Sequence, residues 1–252
     1  MELKDRMIVV TGAGSGLGQA TVEHLLGQGA KVLGLDIAHE VTLSDLSSNQ
    51  YIATEADVTD EASIKKALKQ ASQKLGPCRG LVNCAGVVMG ARVLGKSGPH
   101  DLAAFKRIID INLIGTFNIS RLVAAEMQQA EPLNDDGERG VIIHTASVAA
   151  FEGQIGQAAY SASKGAVAAM TLPMARELAA YGIRVMTIAP GIMQTPMMAG
   201  MTEALQASLV DAVVYPKRLG AAVEFANLVQ HIFENPYLNG SIVRLDAGIR
   251  LN

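Results

Sequence analysis

Residues 7–18 read Met7-Ile8-Val9-Val10-Thr11-Gly12-Ala13-Gly14-Ser15-Gly16-Leu17-Gly18. The first five form a short apolar run, as expected of a strand buried on both faces. From 15 to 28 the pattern turns helical, with Leu17, Ala20, Leu25 and Leu26 toward one side. Between the two lies a turn built on Gly12, Gly16 and Gly18. Glycine allows the tight turn and lets a ligand approach the backbone. The helix that follows points unpaired N–H groups at that ligand, which suits a phosphate.

The rest of the chain repeats this alternation. Short apolar runs at 31–35, 51–56, 80–85, 141–146 and 183–189 read as strands, and Ile242–Leu245 as the last. Helical patterns separate them: 61–75 with Asp60 as N-cap, 101–130 with a break near Asp110, 157–181 with a kink at Pro173, and 223–234. Residues 131–140 (EPLNDDGERG) are a polar, turn-rich insertion, and 193–214 reads as a loop with short helices. Repeated strand–helix–strand units imply a Rossmann-type, doubly wound parallel α/β sheet with helices on both faces. No linker or internal repeat divides the chain, so 1–252 reads as one domain. Its N-terminal half binds a dinucleotide, and a substrate loop spans about 191–215.

Composition narrows the function classes. The chain has 252 residues and a formal net charge of -3, which gives no electrostatic case for a nucleic-acid partner. Charged residues make up 18% against 49% hydrophobic, and mean hydropathy is +0.24, which argues against a disordered chain. The longest uncharged run, 185–202, is broken by Pro190, Gly191, Pro196 and Gly200 and is no membrane span. Two cysteines, Cys78 and Cys84, make no disulfide framework and fit a reducing compartment. The five histidines follow no metal-ligand spacing. A strand beginning at Met7 leaves no room for a cleavable leader. A cytoplasmic location is expected, or the mitochondrial matrix in a eukaryote.

The strand ends carry candidate binding groups. Asp36 follows the second strand, 18 residues after Gly18. Its carboxylate can accept from both adenosine ribose hydroxyls and would repel a 2′-phosphate, so NAD is expected over NADP. Asp57 follows the third strand and can bond an adenine amino group. Asn83-Cys84-Ala85-Gly86 follows the fourth, where small residues let backbone pass close to a ribose.

The fifth strand ends in Thr145-Ala146-Ser147, and Tyr160-Ser161-Ala162-Ser163-Lys164 follows thirteen residues later. Tyr160 and Lys164 share a helix face at i, i+4. A phenol titrates near ~10, so it needs a nearby ammonium and a cationic nicotinamide to work as a base at neutral pH. Ser147 can hold the substrate oxygen and Gln154 a substrate carbonyl; Lys164 can also reach the nicotinamide ribose. Arg92 and Lys96, in the loop after the fourth strand, can meet phosphates. Met193, Met197, Met198 and Met201 suit a flexible lid. His144 reads as structural.

Taken together, the Thr11–Gly18 loop, Asn83–Gly86, Asn112, Ser147, Tyr160 with Lys164, and Pro190-Gly191 resemble the short-chain dehydrogenase/reductase family over nearly the whole chain. The resemblance implies that Tyr160 is the general acid/base and that Asn112 helps hold a proton-relay water. It implies that 190–195 contacts the nicotinamide carboxamide. It also implies cofactor contacts at Ser15, Leu17, Asp36, Asp57, Val58, Cys84, Tyr160, Lys164, Met193 and Thr195. Cys84 departs from the family's usual second Asn, and Met193 stands where an aromatic is expected.

Within the family, 147–164 (SVAAFEGQIGQAAYSASK), 184–190 (RVMTIAP), 234–240 (ENPYLNG) and the 131–140 insertion resemble a branch acting on short-chain 3-hydroxyacyl-CoA. That implies NAD as cofactor, a homotetramer, and slower action on hydroxysteroids. The expected reaction is reversible oxidation of a secondary alcohol. A hydroxysteroid or other secondary-alcohol dehydrogenase with the same site stays open. So does an NAD-binding scaffold subunit, which would not need Ser147, Tyr160 and Lys164 together.

Overall fold

The computed structural model describes residues 1–38, 49–96, 98–198 and 203–251, without the side chains of 197 and 203–206. Seven strands form one sheet in the order β3-β2-β1-β4-β7-β8-β9, every neighbouring pair parallel. They are β1 (Met7–Thr11), β2 (Lys31–Asp36), β3 (Tyr51–Glu55), β4 (Cys78–Asn83), β7 (Gly140–Thr145), β8 (Ile183–Pro190) and β9 (Ile242–Leu245). A two-residue antiparallel hairpin, β5 (Leu94–Gly95) and β6 (Gly98–Pro99), stands apart from the sheet. Nothing in its polar, glycine-rich sequence announced it.

Helices cover both faces. On one side α1 (Gly16–Gly27) and α7 (Ala222–Glu234) bury Val22, Leu25, Phe225 and Phe233 against Ile8, Val10 and Ile143. On the other, α2 (Glu61–Leu75), α4 (Thr116–Gln128) and α5 (Ala158–Leu178) bury Ile64, Leu68, Val123 and Ala175 against Val9, Leu33 and Ile142. Each such Val, Leu, Ile or Phe side chain contributes roughly 1.5–3 kcal/mol on burial. Two-sided burial explains why the strands read as continuous apolar runs instead of alternating ones. Asp60 caps α2 as expected, accepting from the Ala62 N–H at 2.9 Å.

Several boundaries differ from expectation. The fourth strand begins at Cys78 and ends at Asn83, not 80–85, because the N–H groups of Cys84 and Ala85 donate to Thr11 Oγ1 at 3.1 Å instead of to the ladder. The expected break near Asp110 is a π-helical turn, Asp110–Gly115, joining α3 (Leu102–Ile109) to α4. The long helix 157–181 is α5 plus a 3₁₀ turn, Ala179–Tyr181, with Pro173 inside α5. In 193–214 the structure describes a 3₁₀ turn, Pro196–Met198, and α6 (Glu203–Ala212). One stretch, Leu102–Gln128, is long and apolar enough to cross a membrane, but 56% of its most apolar window is buried in this fold.

The 131–140 insertion is more than a polar turn. Glu138 is buried and pairs with Arg184 Nη2 at 3.0 Å, while Arg184 also donates to the Ile232, Phe233 and Leu238 carbonyls. Breaking a buried pair strands its partner's charge. Glu138→Ala is therefore expected to cost about 3–5 kcal/mol, read as a lowered urea midpoint. A midpoint within error of the parent chain would contradict it.

Candidate active site

A cleft of about 480 Å³ opens where β1, β2, β3, β4, β7 and β8 end at their carboxyl termini. Strand order reverses between β1 and β4, the switch point where doubly wound sheets place ligands.

The floor is the glycine turn. Gly12 has φ +64° and Gly16 has φ +54°. A Cβ on Gly12 would stand 2.9 Å from the Ala85 nitrogen, and one on Gly18 would stand 2.0 Å from the Gly12 carbonyl oxygen. Ser15 is the N-cap of α1 and makes no side-chain cap bond, so the first N–H groups of α1 stay available at the cleft. Asp36 stands at the end of β2. Its Oδ2 accepts from the Gly14 N–H at 2.8 Å and its Oδ1 from the Ala38 N–H at 3.2 Å. These bonds fix the carboxylate at the edge of the glycine turn. Asp57 is held by the Thr59 N–H and hydroxyl, both at 2.8 Å. A cradle that admits no Cβ, an open helix N-terminus and an anchored carboxylate together fit a dinucleotide.

Gly12, Ser15, Gly16, Leu17, Gly18, Asp36, Asp57, Val58, Cys84, Ala85, Gly86, Pro190, Gly191, Met193 and Thr195 all line this cleft. Asn83 does not. It is buried, and its Nδ2 donates to Ser120 Oγ at 3.1 Å, tying β4 to α4. Burial pushes the Cys84 thiol up to about 12, so it stays an unreactive neutral group.

The opposite wall carries Ser147, Gln154, Tyr160 and Lys164. Lys164 Nζ donates to the Thr145 carbonyl at 2.8 Å and lies 5.9 Å from the centre of the Tyr160 ring. Ser147 Oγ accepts from the Ala149 N–H at 3.1 Å. Burial holds the Tyr160 phenol above its ordinary value, opposed by the nearby Ser147 hydroxyl. Burial also brings Lys164 down to about 8. Burial is the largest influence on the phenol and favours its protonated form.

Asn112 sits in the π turn, fully buried, and its side chain does not reach the cleft. It accepts from the Val87 N–H at 2.8 Å, and its Nδ2 donates to the Val87 carbonyl at 2.9 Å and to Ser163 Oγ at 3.1 Å. It thus fastens the segment after β4 to the helix bearing Tyr160. A Cβ on Gly86 would lie 3.2 Å from Asn112 Oδ1 and 3.5 Å from Lys164 Nζ, so the three elements meet there.

Arg92 and Lys96 are exposed and do not line the cleft. Arg107, Gln157, Leu209 and Leu251 do line it. Arg107 reads only as a basic residue in the last turn of an amphipathic helix, and Leu251 belongs to no motif. Met198 lines the cleft, while Met201 lies outside the described residues. His144 is buried, bonded through Nε2 to Ser120 Oγ at 3.1 Å; desolvation lowers it to about 4, so it is neutral. No cluster of three metal-ligating side chains occurs among the described residues.

The family model for short chain dehydrogenases matches residues 6–206. A 3-hydroxyacyl-CoA dehydrogenase type-2 from Homo sapiens is 51% identical over 254 residues, covering 99% of this chain and 97% of that one. The protein of the same name from Drosophila melanogaster is 46% identical, covering 99% of each. The crystal structure of 3-hydroxyacyl-CoA dehydrogenase type-2 from Mycobacterium avium superimposes with a TM-score of 0.92 at 41% identity, over 98% of this chain and 96% of that one. Sheet order, glycine turn and sequence likeness agree, and the chain belongs to the short-chain dehydrogenase/reductase family of NAD(P)-using oxidoreductases.

Proposed function

We propose that this protein interconverts short-chain 3-hydroxyacyl-CoA and 3-ketoacyl-CoA with NAD. The observation that carries the reading is the convergence of Ser147, Tyr160 and Lys164 on one wall of a cleft whose other side is the glycine turn and Asp36. Relatives about half identical bear the name of that activity. A scaffold subunit needs no such convergence.

NAD, when bound, supplies the hydride chemistry at the substrate carbon. Tyr160 gives its proton to the ketone oxygen during reduction and takes it back during oxidation. The Ser147 hydroxyl orients that oxygen and shares its developing charge. Lys164, on the next turn of α5, supplies positive charge that favours the phenolate, and its reach includes the ribose side of the cleft. Asn112 holds Val87 and Ser163 in place and so sets the path for a relay water. In this reading the N-terminal half holds the dinucleotide and 191–215 closes on the substrate.

Purified protein given acetoacetyl-CoA is expected to consume NADH rapidly and NADPH at least about tenfold more slowly, the latter reflecting repulsion between Asp36 and a 2′-phosphate. Asp36→Ala is expected to collapse that ratio. A ratio unchanged by the substitution removes Asp36 from cofactor choice. Turnover of a ketosteroid without any on the thioester keeps the site and discards the substrate. Tight NADH binding with no turnover of either supports the scaffold instead. A homotetramer belongs to the same proposal, supported by exposed Ile114, Phe117 and Leu172 on the outer helices.

A further inference from the structure

After β9 the chain returns to the cleft. Leu251 lines it, as do Val148, Met198 and Leu209. Ile249 is fully buried and packs with Val148 and Val213, and Leu251 packs against the same group. Val148 follows Ser147 directly, so this segment rests on the turn that presents the Ser147 hydroxyl.

A second set of contacts pins the segment. Glu152 lies in the loop between Ser147 and Tyr160. Its Oε1 accepts from Arg244 Nη1 at 3.0 Å and its Oε2 from Arg244 Nη2 at 3.1 Å. The same carboxylate pairs with Arg250 Nε at 3.3 Å and accepts the Leu251 N–H at 3.4 Å. Arg244 also donates to Asp246 Oδ2 at 2.6 Å and to the Ile249 carbonyl at 3.1 Å. A two-pronged guanidinium–carboxylate pair fixes direction as well as distance. Neither the glycine turn nor the proton-handling residues require this network. It connects the catalytic loop to a side chain that narrows the cleft.

We propose that the 246–251 segment is the wall that sizes the acyl group. Leu251 is its specificity-determining side chain, and Glu152 is the positioning residue that locks the wall to the loop carrying Ser147. This rests on the acyl-CoA reading above. One methylene in an apolar pocket discriminates by about 10-fold or more, so a single truncation at this wall is measurable.

The test is NADH-dependent reduction of 3-ketoacyl-CoA thioesters of four, six and eight carbons, with NADH affinity followed separately by fluorescence. Leu251→Ala is expected to raise kcat/KM on eight carbons relative to four by about tenfold, and Leu251→Trp to move the ratio the other way. NADH affinity should stay unchanged in both. Glu152→Ala is expected to raise KM for the thioester and flatten the chain-length profile, with kcat on four carbons little changed. Chain-length ratios that stay put in both Leu251 variants overturn the wall. Joint loss of NADH binding and turnover in Glu152→Ala overturns its positioning role. A parent chain inactive on all thioesters but active on simple ketones indicts the acyl-CoA reading alone. The same ratio shift is then expected with 2-alkanones of matching length, and its absence there overturns the wall as well.

Discussion

Tyr160→Phe is expected to lower turnover by about 10²–10⁴-fold, the usual worth of a positioned general acid or base, while leaving NADH binding intact. The substitution removes one oxygen from a side chain whose ring stays packed on α5, so the fold and the glycine turn are untouched. Both directions depend on that oxygen, and both should fall. In the parent chain the two directions should also part company with pH. Burial raises the phenol above its ordinary value and so favours the proton needed for ketone reduction at neutral pH. Alcohol oxidation needs the phenolate and should climb as pH rises. Lys164 titrates near about 8, so its support for the phenolate fades above that point. Stopped-flow NADH absorbance gives the rates, and the fluorescence of NADH itself gives the binding. Turnover within a few-fold of the parent would remove Tyr160 from proton transfer.

Gly18→Ala should abolish cofactor binding for a purely geometric reason. The new Cβ would stand 2.0 Å from the Gly12 oxygen and 2.6 Å from its carbonyl carbon. Both are backbone atoms, so no side chain can swing aside. Either α1 withdraws from the sheet or the Gly12 turn opens, and each displaces the N–H groups offered to phosphate. Overpacking of this kind costs about 1–3 kcal/mol or more in stability. At the cleft the same displacement is expected to weaken NADH binding at least about 100-fold, because several hydrogen bonds depend on one turn geometry. Far-UV circular dichroism would show the sheet retained, and a fluorescence titration with NADH would show the loss. Binding within threefold of the parent would contradict the close approach of α1 to β1.

Most of the sheet is legible in the sequence because burial on both faces makes its strands short, uninterrupted apolar runs. Met7–Thr11 and Ile242–Leu245 match the structure at both ends. The fourth strand slipped because the Thr11 hydroxyl claims the N–H groups of Cys84 and Ala85. That contact joins residues more than seventy apart, which no local pattern reports. Ser147, Tyr160 and Lys164 were legible because their spacing places them on one strand end and one helix face. Asn83 sits in the middle of a recognisable stretch, yet its amide turns inward to Ser120. Its neighbours' roles could not reveal which way one side chain points. Leu251 and Arg107 are not legible because the first is brought to the cleft by Glu152 and Ile249, and the second stands in the last turn of α3 with no local mark of the face it presents.

That π turn has a consequence for how the chain tolerates change in length. A regular helix advances about 100° per residue, while a π turn takes an extra residue per loop of backbone. Residues 110–115 therefore take up one extra residue between α3, which lies against α5, and α4, which lies against the sheet. Deleting one residue there would yield a smoother helix and a worse protein. The flanking helices would keep their places, and what would go is the widened turn from which Asn112 reaches Val87 and Ser163. Insertions and deletions should accordingly be forbidden at this irregular spot and allowed in the polar hairpin only a dozen residues before it.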